Sequence, residues 1–148
     1  MDNGSVAAGG KVGFALYDSN DARVFEFRFV GDDTHYSVFD GAFKTLNSAG
    51  KEVSFTRKGL RVTFELTSST GYTLSIRKPN TNSSAINYFE TLSSQMGTTI
   101  AKVRLFNNSA GSGDAANVYF NTMSIPEPTT FSVLSGGLLL AALKRKRR

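Results

Sequence analysis

The chain contains no cysteine, no tryptophan, one histidine (His35) and only three prolines in 148 residues. Without cysteine there is no disulfide frame, no thiol nucleophile and no thiolate metal centre, so an exported form must be held by its core alone. One histidine and no cysteine exclude a zinc site built from several His or Cys ligands. The same scarcity leaves any general base at His35 without a visible nucleophile partner, and a surface loop or strand entry is its simpler reading. The lack of tryptophan removes the commonest stacking platform for sugar rings. Two of the three prolines, Pro126 and Pro128, stand together near the C-terminus, and helical periodicity is weak throughout.

What the chain does have is phenylalanine, twelve of them, set in two-residue alternation. In Arg61-Val62-Thr63-Phe64-Glu65-Leu66-Thr67 the residues Val62, Phe64 and Leu66 share one face and the polar residues the other. Phe25, Phe27 and Phe29 alternate with Glu26 and Arg28, and Tyr72, Leu74 and Ile76 with Thr73, Ser75 and Arg77. Residues 11–17, 35–40, 51–56, 86–92, 100–107 and 117–125 are further runs rich in β-branched and aromatic side chains. Turn clusters separate them: Asp18-Ser19-Asn20-Asp21, Gly31-Asp32-Asp33, Asn47-Ser48-Ala49-Gly50, Arg57-Lys58-Gly59 and Ser68-Ser69-Thr70-Gly71, then residues 78–85 and 107–116. About nine strands at this spacing predict an all-β, antiparallel β-sandwich over residues 1–125, its sheets each wet on one side. In the last run Val118 and Phe120 are out of phase with Met123 and Ile125, which predicts a bulge at Asn121-Thr122.

The formal charge of +5 belongs to the end of the chain. Residues 1–125 carry 12 Lys+Arg against 11 Asp+Glu, and show no basic cluster of the kind a nucleic-acid surface needs. Residues 126–148 read Pro126-Glu127-Pro128, an uncharged stretch at 129–143, and Lys144-Arg145-Lys146-Arg147-Arg148. As a helix that stretch would reach about 22 Å, against a hydrocarbon core of about 30 Å. This predicts a short, marginal transmembrane helix that suits a temporary anchor, with the basic cluster as its cytoplasmic stop. A permanent tail anchor is the duller alternative.

Taken in that order, the Pro-Glu-Pro strip, the Gly136-Gly137-Leu138-Leu139-Leu140-Ala141-Ala142-Leu143 stretch and the basic end resemble the PEP-CTERM sorting signal of Gram-negative bacteria. The resemblance implies an exosortase partner, a membrane transpeptidase that reads the Pro-Glu-Pro region and removes the helix. It further implies inner-membrane anchoring through residues 129–143 during export, then a place at the cell surface or outside the cell, often with exopolysaccharide. In the body, Val12-Gly13-Phe14-Ala15-Leu16, Val24-Phe25-Glu26-Phe27-Arg28-Phe29-Val30-Gly31, Gly59-Leu60-Arg61-Val62-Thr63-Phe64 and Val103-Arg104-Leu105-Phe106-Asn107 resemble concanavalin-like (jelly-roll) sandwich domains. That likeness speaks to fold and not to activity. The opening Met1-Asp2-Asn3-Gly4-Ser5 has neither a basic n-region nor an apolar h-region. Beside an export signal, this predicts a native start upstream, with the leader and some strands missing.

Enzymatic signals are weak. Glycoside hydrolysis needs two carboxylates across one cleft, and no Glu-x-Asp-x-x-Glu strand is present. Glu26 and Glu65 read as solvated strand-face residues paired with cross-strand arginines. Asp18, Asn20, Asp21, Asp32, Asp33 and Asp114 offer hard oxygen donors for calcium, but no EF-hand spacing, and the same residues form turns. Tyr17, Tyr36, Tyr88, Phe89 and Tyr119 are candidates for an outward aromatic face that would contact glycan. Asn82-Ser83-Ser84 fits a glycosylation acceptor and reads as an ordinary loop. The expectation is a non-catalytic exported protein whose working residues are Pro126, Glu127, Pro128 and the basic stop. A carbohydrate-binding module is the alternative.

Overall fold

Two-residue alternation gives each run an apolar face to bury, and the polar clusters between runs turn the chain back on itself. The computed structural model describes residues 1–79, 84–93, 99–121, 123 and 124. Among them the strands are β1 (Asp2–Asn3), β2 (Lys11–Tyr17), β3 (Arg23–Val30), β4 (Ser37–Phe39), β5 (Phe43–Thr45), β6 (Arg61–Leu66), β7 (Gly71–Arg77), β8 (Ile86–Thr91), β9 (Lys102–Asn108) and β10 (Val118–Tyr119). A 3-10 turn spans Asp114–Ala116. The strands form a five-stranded sheet in the order β5-β4-β3-β2-β9, a three-stranded sheet β6-β7-β8 and the pair β1-β10. Every strand pairing is antiparallel, so the fold is all-β with antiparallel sheets.

Register decides what is buried. In the larger sheet Val12, Phe14 and Leu16 stand opposite Phe29, Phe27 and Phe25. In the smaller one Phe64, Leu74 and Tyr88 form one row and Val62, Ile76 and Ile86 another. These two apolar faces meet. The Phe25 ring lies 4.6 Å from Phe64 and 5.4 Å from Tyr72, centroid to centroid. Phe27 stacks on Tyr36 at 5.2 Å, and Phe29 on Phe55 at 4.4 Å. The Tyr36 hydroxyl donates to Asn3 Oδ1 at 2.8 Å, which ties β1 to the core.

Several expectations need correction. The run at 51–56 forms no ladder strand. It crosses 34–36 through one bridge, His35 to Ser54, with Tyr36 N–H donating to the Val53 carbonyl and Phe55 N–H to that of Thr34. The strand expected at 35–40 shortens to β4, because Gly41 takes φ 122° and starts the turn into β5. A side chain at Gly41 would also collide with Ser93. β5 and β1 are too short to show a period. A bulge that was not expected sits in β2–β3, where Leu16 faces Phe25 but Tyr17 faces Arg23, leaving Val24 as the extra residue, fully buried. In the last run β10 stops at Tyr119 and Met123 is exposed; Thr122 and Ile125 lie outside the described residues. So do Asn82-Ser83, Pro126-Glu127-Pro128, the stretch 129–143 and the basic residues 144–148. Among the described residues no helix is long and apolar enough to cross a membrane.

Because Phe25 touches both sheets, Phe25→Ala is expected to cost about 3–5 kcal/mol. Phe89→Ala, at a side chain 74% exposed, should stay within about 0.5 kcal/mol. Denaturant unfolding of the two variants checks the pair, and equal losses would overturn the assigned faces.

Candidate functional site

The sheet face turned away from the core carries most of the side chains with binding chemistry. Across β9-β2-β3-β4-β5 the register sets Arg104, Ala15, Glu26, Phe39 and Phe43 in one row, and Phe106, Gly13, Arg28, Ser37 and Thr45 in the next. Strand period places both rows on the outer face. The Arg28 guanidinium lies 3.6 Å from the Phe43 centroid, and that of Arg23 lies 3.9 Å from Phe39. Both arginines pair with Glu26, and Arg28 Nε also donates to Ser37 Oγ at 3.3 Å. Glu26 is thereby only 6% exposed. It is not the solvated residue the alternation implied, and its arginine partners come from its own strand. Phe39, in the run expected at 35–40, and Phe43, on a strand too short to predict, hold the guanidinium groups over its carboxylate.

At the other end of this face Asp21 accepts from Lys102 Nζ at 2.9 Å and from Arg104 Nη2 at 2.7 Å. The Lys102 hydrogen bond, then its charge, draw the Asp21 carboxyl below its ordinary range. Arg104 also lies over Tyr17, 4.3 Å from the ring centroid. Neighbouring Asp18 closes its own turn, its Oδ1 accepting from Asn20 N–H and Ala22 N–H, both at 2.8 Å. Of the other oxygen donors, Asp32 and Asp33 are exposed and Asp114 opens the 3-10 turn. Among the described residues no group of three or more His, Asp or Glu is placed to hold a metal ion.

A second cluster ties the two sheets together. Asp40, 3% exposed, accepts at Oδ2 from Lys44 Nζ and from the Tyr72 hydroxyl, both at 2.8 Å. Lys44 reaches Glu90 at 3.4 Å. Burial alone would lower the Lys44 pKa, but the bond to Asp40 and the two carboxylate charges outweigh it and raise it. Burial, then the bond to Asp40, pushes Tyr72 well above the usual tyrosine range. This pair of acids fifty positions apart carries no motif. The available signal was Glu90, a charge in phase with Ile86 and Tyr88 on the inward side of β8.

The remaining candidates scatter. His35 is half-buried, its Nδ1 2.8 Å from Thr34 Oγ1, and Glu65 is exposed on β6 opposite Thr73. Tyr17, Phe89 and Tyr119 reach the surface, but Tyr36 and Tyr88 do not. Both are core residues, since each falls in phase with inward neighbours, and the Tyr88 hydroxyl donates to the Lys51 carbonyl. Comparison with family models, with curated proteins and with solved structures finds no match in any of the three.

Burial pushes the hydroxyls of Tyr36 and Tyr88 up to about 12. A folded pKa above the unfolded one means that the unfolded chain loses its proton first as pH rises. Their contribution is therefore complete below pH about 10 and falls away between about 10 and 12, by up to about 1.4 kcal/mol per pH unit for each tyrosine. Melting temperature should fall steeply across that window, and Tyr36→Phe should shallow the fall. A flat profile would contradict the buried assignment.

Proposed function

We propose that this chain is a non-catalytic surface or matrix protein, a concanavalin-like β-sandwich delivered out of a Gram-negative cell on a PEP-CTERM signal. The observation that carries the reading is the three-part tail at 126–148, Pro-Glu-Pro, apolar stretch and basic stop. Among the described residues the last strand in the chain, β10, ends at Tyr119. Pro126 and Pro128 restrict Glu127 and its neighbours to extended backbone, the form a protease-like cleft reads. Residues 129–143 act as the inner-membrane stop, Lys144 to Arg148 stay cytoplasmic, and an exosortase reads the Pro-Glu-Pro region and removes the stretch beyond it. The non-catalytic part is supported by the state of the acidic groups. Glu26 is clamped by Arg23 and Arg28, and Asp40 by Lys44 and Tyr72.

Intact mass of the protein recovered from cells that make the exosortase tests this reading, with the upstream DNA of the gene included. Loss of the mass beyond the Pro-Glu-Pro strip is the expected result, and Glu127→Ala should retain it. A wild-type chain that keeps its whole tail would make this a permanently anchored protein.

A second reading, binding of exopolysaccharide, is favoured by one feature. The outer face combines Arg23, Arg28, Lys102 and Arg104 with Phe43, which is 49% exposed. That chemistry suits the carboxylates of an acidic glycan better than a neutral one. Titration of the chain in detergent micelles with a polyuronate and with a neutral glucan should show binding of the first alone, weakened in Arg104→Ala. Equal or absent binding would end this reading.

A further inference from the structure

Exposed sheet edges invite another strand, and proteins blunt them with shortness, inward charges, bulges or a covering segment. Two of the four edges of the two larger sheets are managed by inward charges, and a third, β6, is met by a covering segment just ahead of its first residue. β5 has three residues and turns Lys44 toward the core side, opposite Val38. β8 turns Glu90 inward, opposite Tyr72. The start of β6 is covered by Met1, whose backbone exchanges two hydrogen bonds of 2.7 Å with Leu60. β9 is different. It runs seven residues in unshifted register with β2, contains no proline, and presents Val103, Leu105 and Asn107 on the core side with no charge among them. Among the described residues no strand pairs with its other edge. Leu105 is 46% exposed there, next to half-buried Phe14.

We propose that this edge pairs with β9 of a second copy of the chain, antiparallel about a two-fold axis at Leu105, joining the two five-stranded sheets into one. The strand itself selects this register. Centring on Leu105 uses all seven residues and sets each Leu105 against the other, with Phe14 flanking on both sides. Arg104 then falls opposite Phe106 of the second copy, the same kind of contact that Arg28 makes with Phe43. Lys102 falls opposite Asn108, and Val103 opposite Asn107. Centring on Arg104 would oppose it to itself, and centring on Val103 would oppose Lys102 to Arg104, both like-charge pairs that destabilise a ladder. Centring on Phe106 shortens the overlap and sets Leu105 against Asn107. An isologous contact of this kind closes on itself and leaves no new edge between the two copies.

The cysteine-free chain makes the test direct. Directly opposed residues of an antiparallel pair have Cα atoms about 4.5–5.5 Å apart, inside the range a disulfide spans. The full chain carrying Leu105→Cys, held in detergent micelles and mildly oxidised, is expected to give about tenfold more disulfide dimer than Phe89→Cys, the control for chance collisions in a shared micelle. Val103→Cys alone should give little, whereas Val103→Cys mixed with Asn107→Cys should cross-link as a heterodimer. The unmodified protein supplies a second measurement: exchange protection of β9 amides should rise with protein concentration. Leu105→Cys dimer no greater than the Phe89→Cys background, or β9 protection independent of concentration, would overturn the proposal. The latter result would mean that a segment of the same chain covers the edge.

Discussion

The contact of Phe25 with Phe64 and Tyr72 is the point at which the two sheets become one protein. With no cysteine in the chain, no disulfide cross-links them. Phe25 sits on β3, the middle strand of its sheet, so its burial orders both flanking strands. Aromatic rings suit this task because each covers much area and offers tilted or stacked geometries to several neighbours. The Asp40–Tyr72 hydrogen bond sits on the same tyrosine and adds direction to a contact that is otherwise only apolar. Sliding one sheet over the other would leave the Asp40 carboxylate buried with fewer partners, a costly state. The aromatic contact thus supplies adhesion, and the acid beside it supplies alignment.

How much of this could be read from the chain follows from strand length. Longer alternating runs, such as 61–67 and the one through Phe25, Phe27 and Phe29, gave their inward face, and Lys11–Tyr17 matches to the residue. Segments of two or three residues leave no period, so β1 and β5 were invisible. With β5 went the Phe43 ring, one of the two roofs over Glu26, and nothing local set Phe39, in the run expected at 35–40, over Arg23. Glu26 was misread for that reason: alternation correctly sent it to the outer face but could not say that this part of the face is covered. Tyr36 and Tyr88 were misread in the opposite sense. Their hydroxyls suggested a surface, yet their phase with Val38 and with Ile86 already pointed inward. Nothing local joined Asp40 to Glu90, because that neighbourhood exists only once the sheets have met.

The outer face and the tail stand in an instructive relation. The body is close to neutral and neutralises its charges locally: Asp21 with Lys102 and Arg104, Glu26 with Arg23 and Arg28, Asp40 with Lys44. The excess of positive charge is concentrated beyond residue 143. In the proposed route that excess never meets the outside of the cell, because cleavage leaves it behind. A mature body freed of the tail would then carry a formal charge near zero, with solubility resting on dispersed ion pairs and not on a net field.

The bulge at Val24 has a consequence for how length changes act in this chain. In a regular ladder Arg23 would fall in phase with Phe25 and face the core; the extra residue lets Val24 turn in while Arg23 stays out, beside Glu26. The strand therefore holds two phases, one for residues up to Arg23 and one from Phe25 onward, hinged at a single removable position. Loss of that one residue would return β3 to plain alternation with Arg23 still outward and the pairing from Phe25 to Val30 intact. Loss of a residue anywhere from Phe25 to Phe29 would exchange faces for everything on one side of the gap. Tolerance to deletion is thus set by phase and not by burial, and Val24, as fully buried as Phe25 and Phe27, is the one whose removal the topology can absorb.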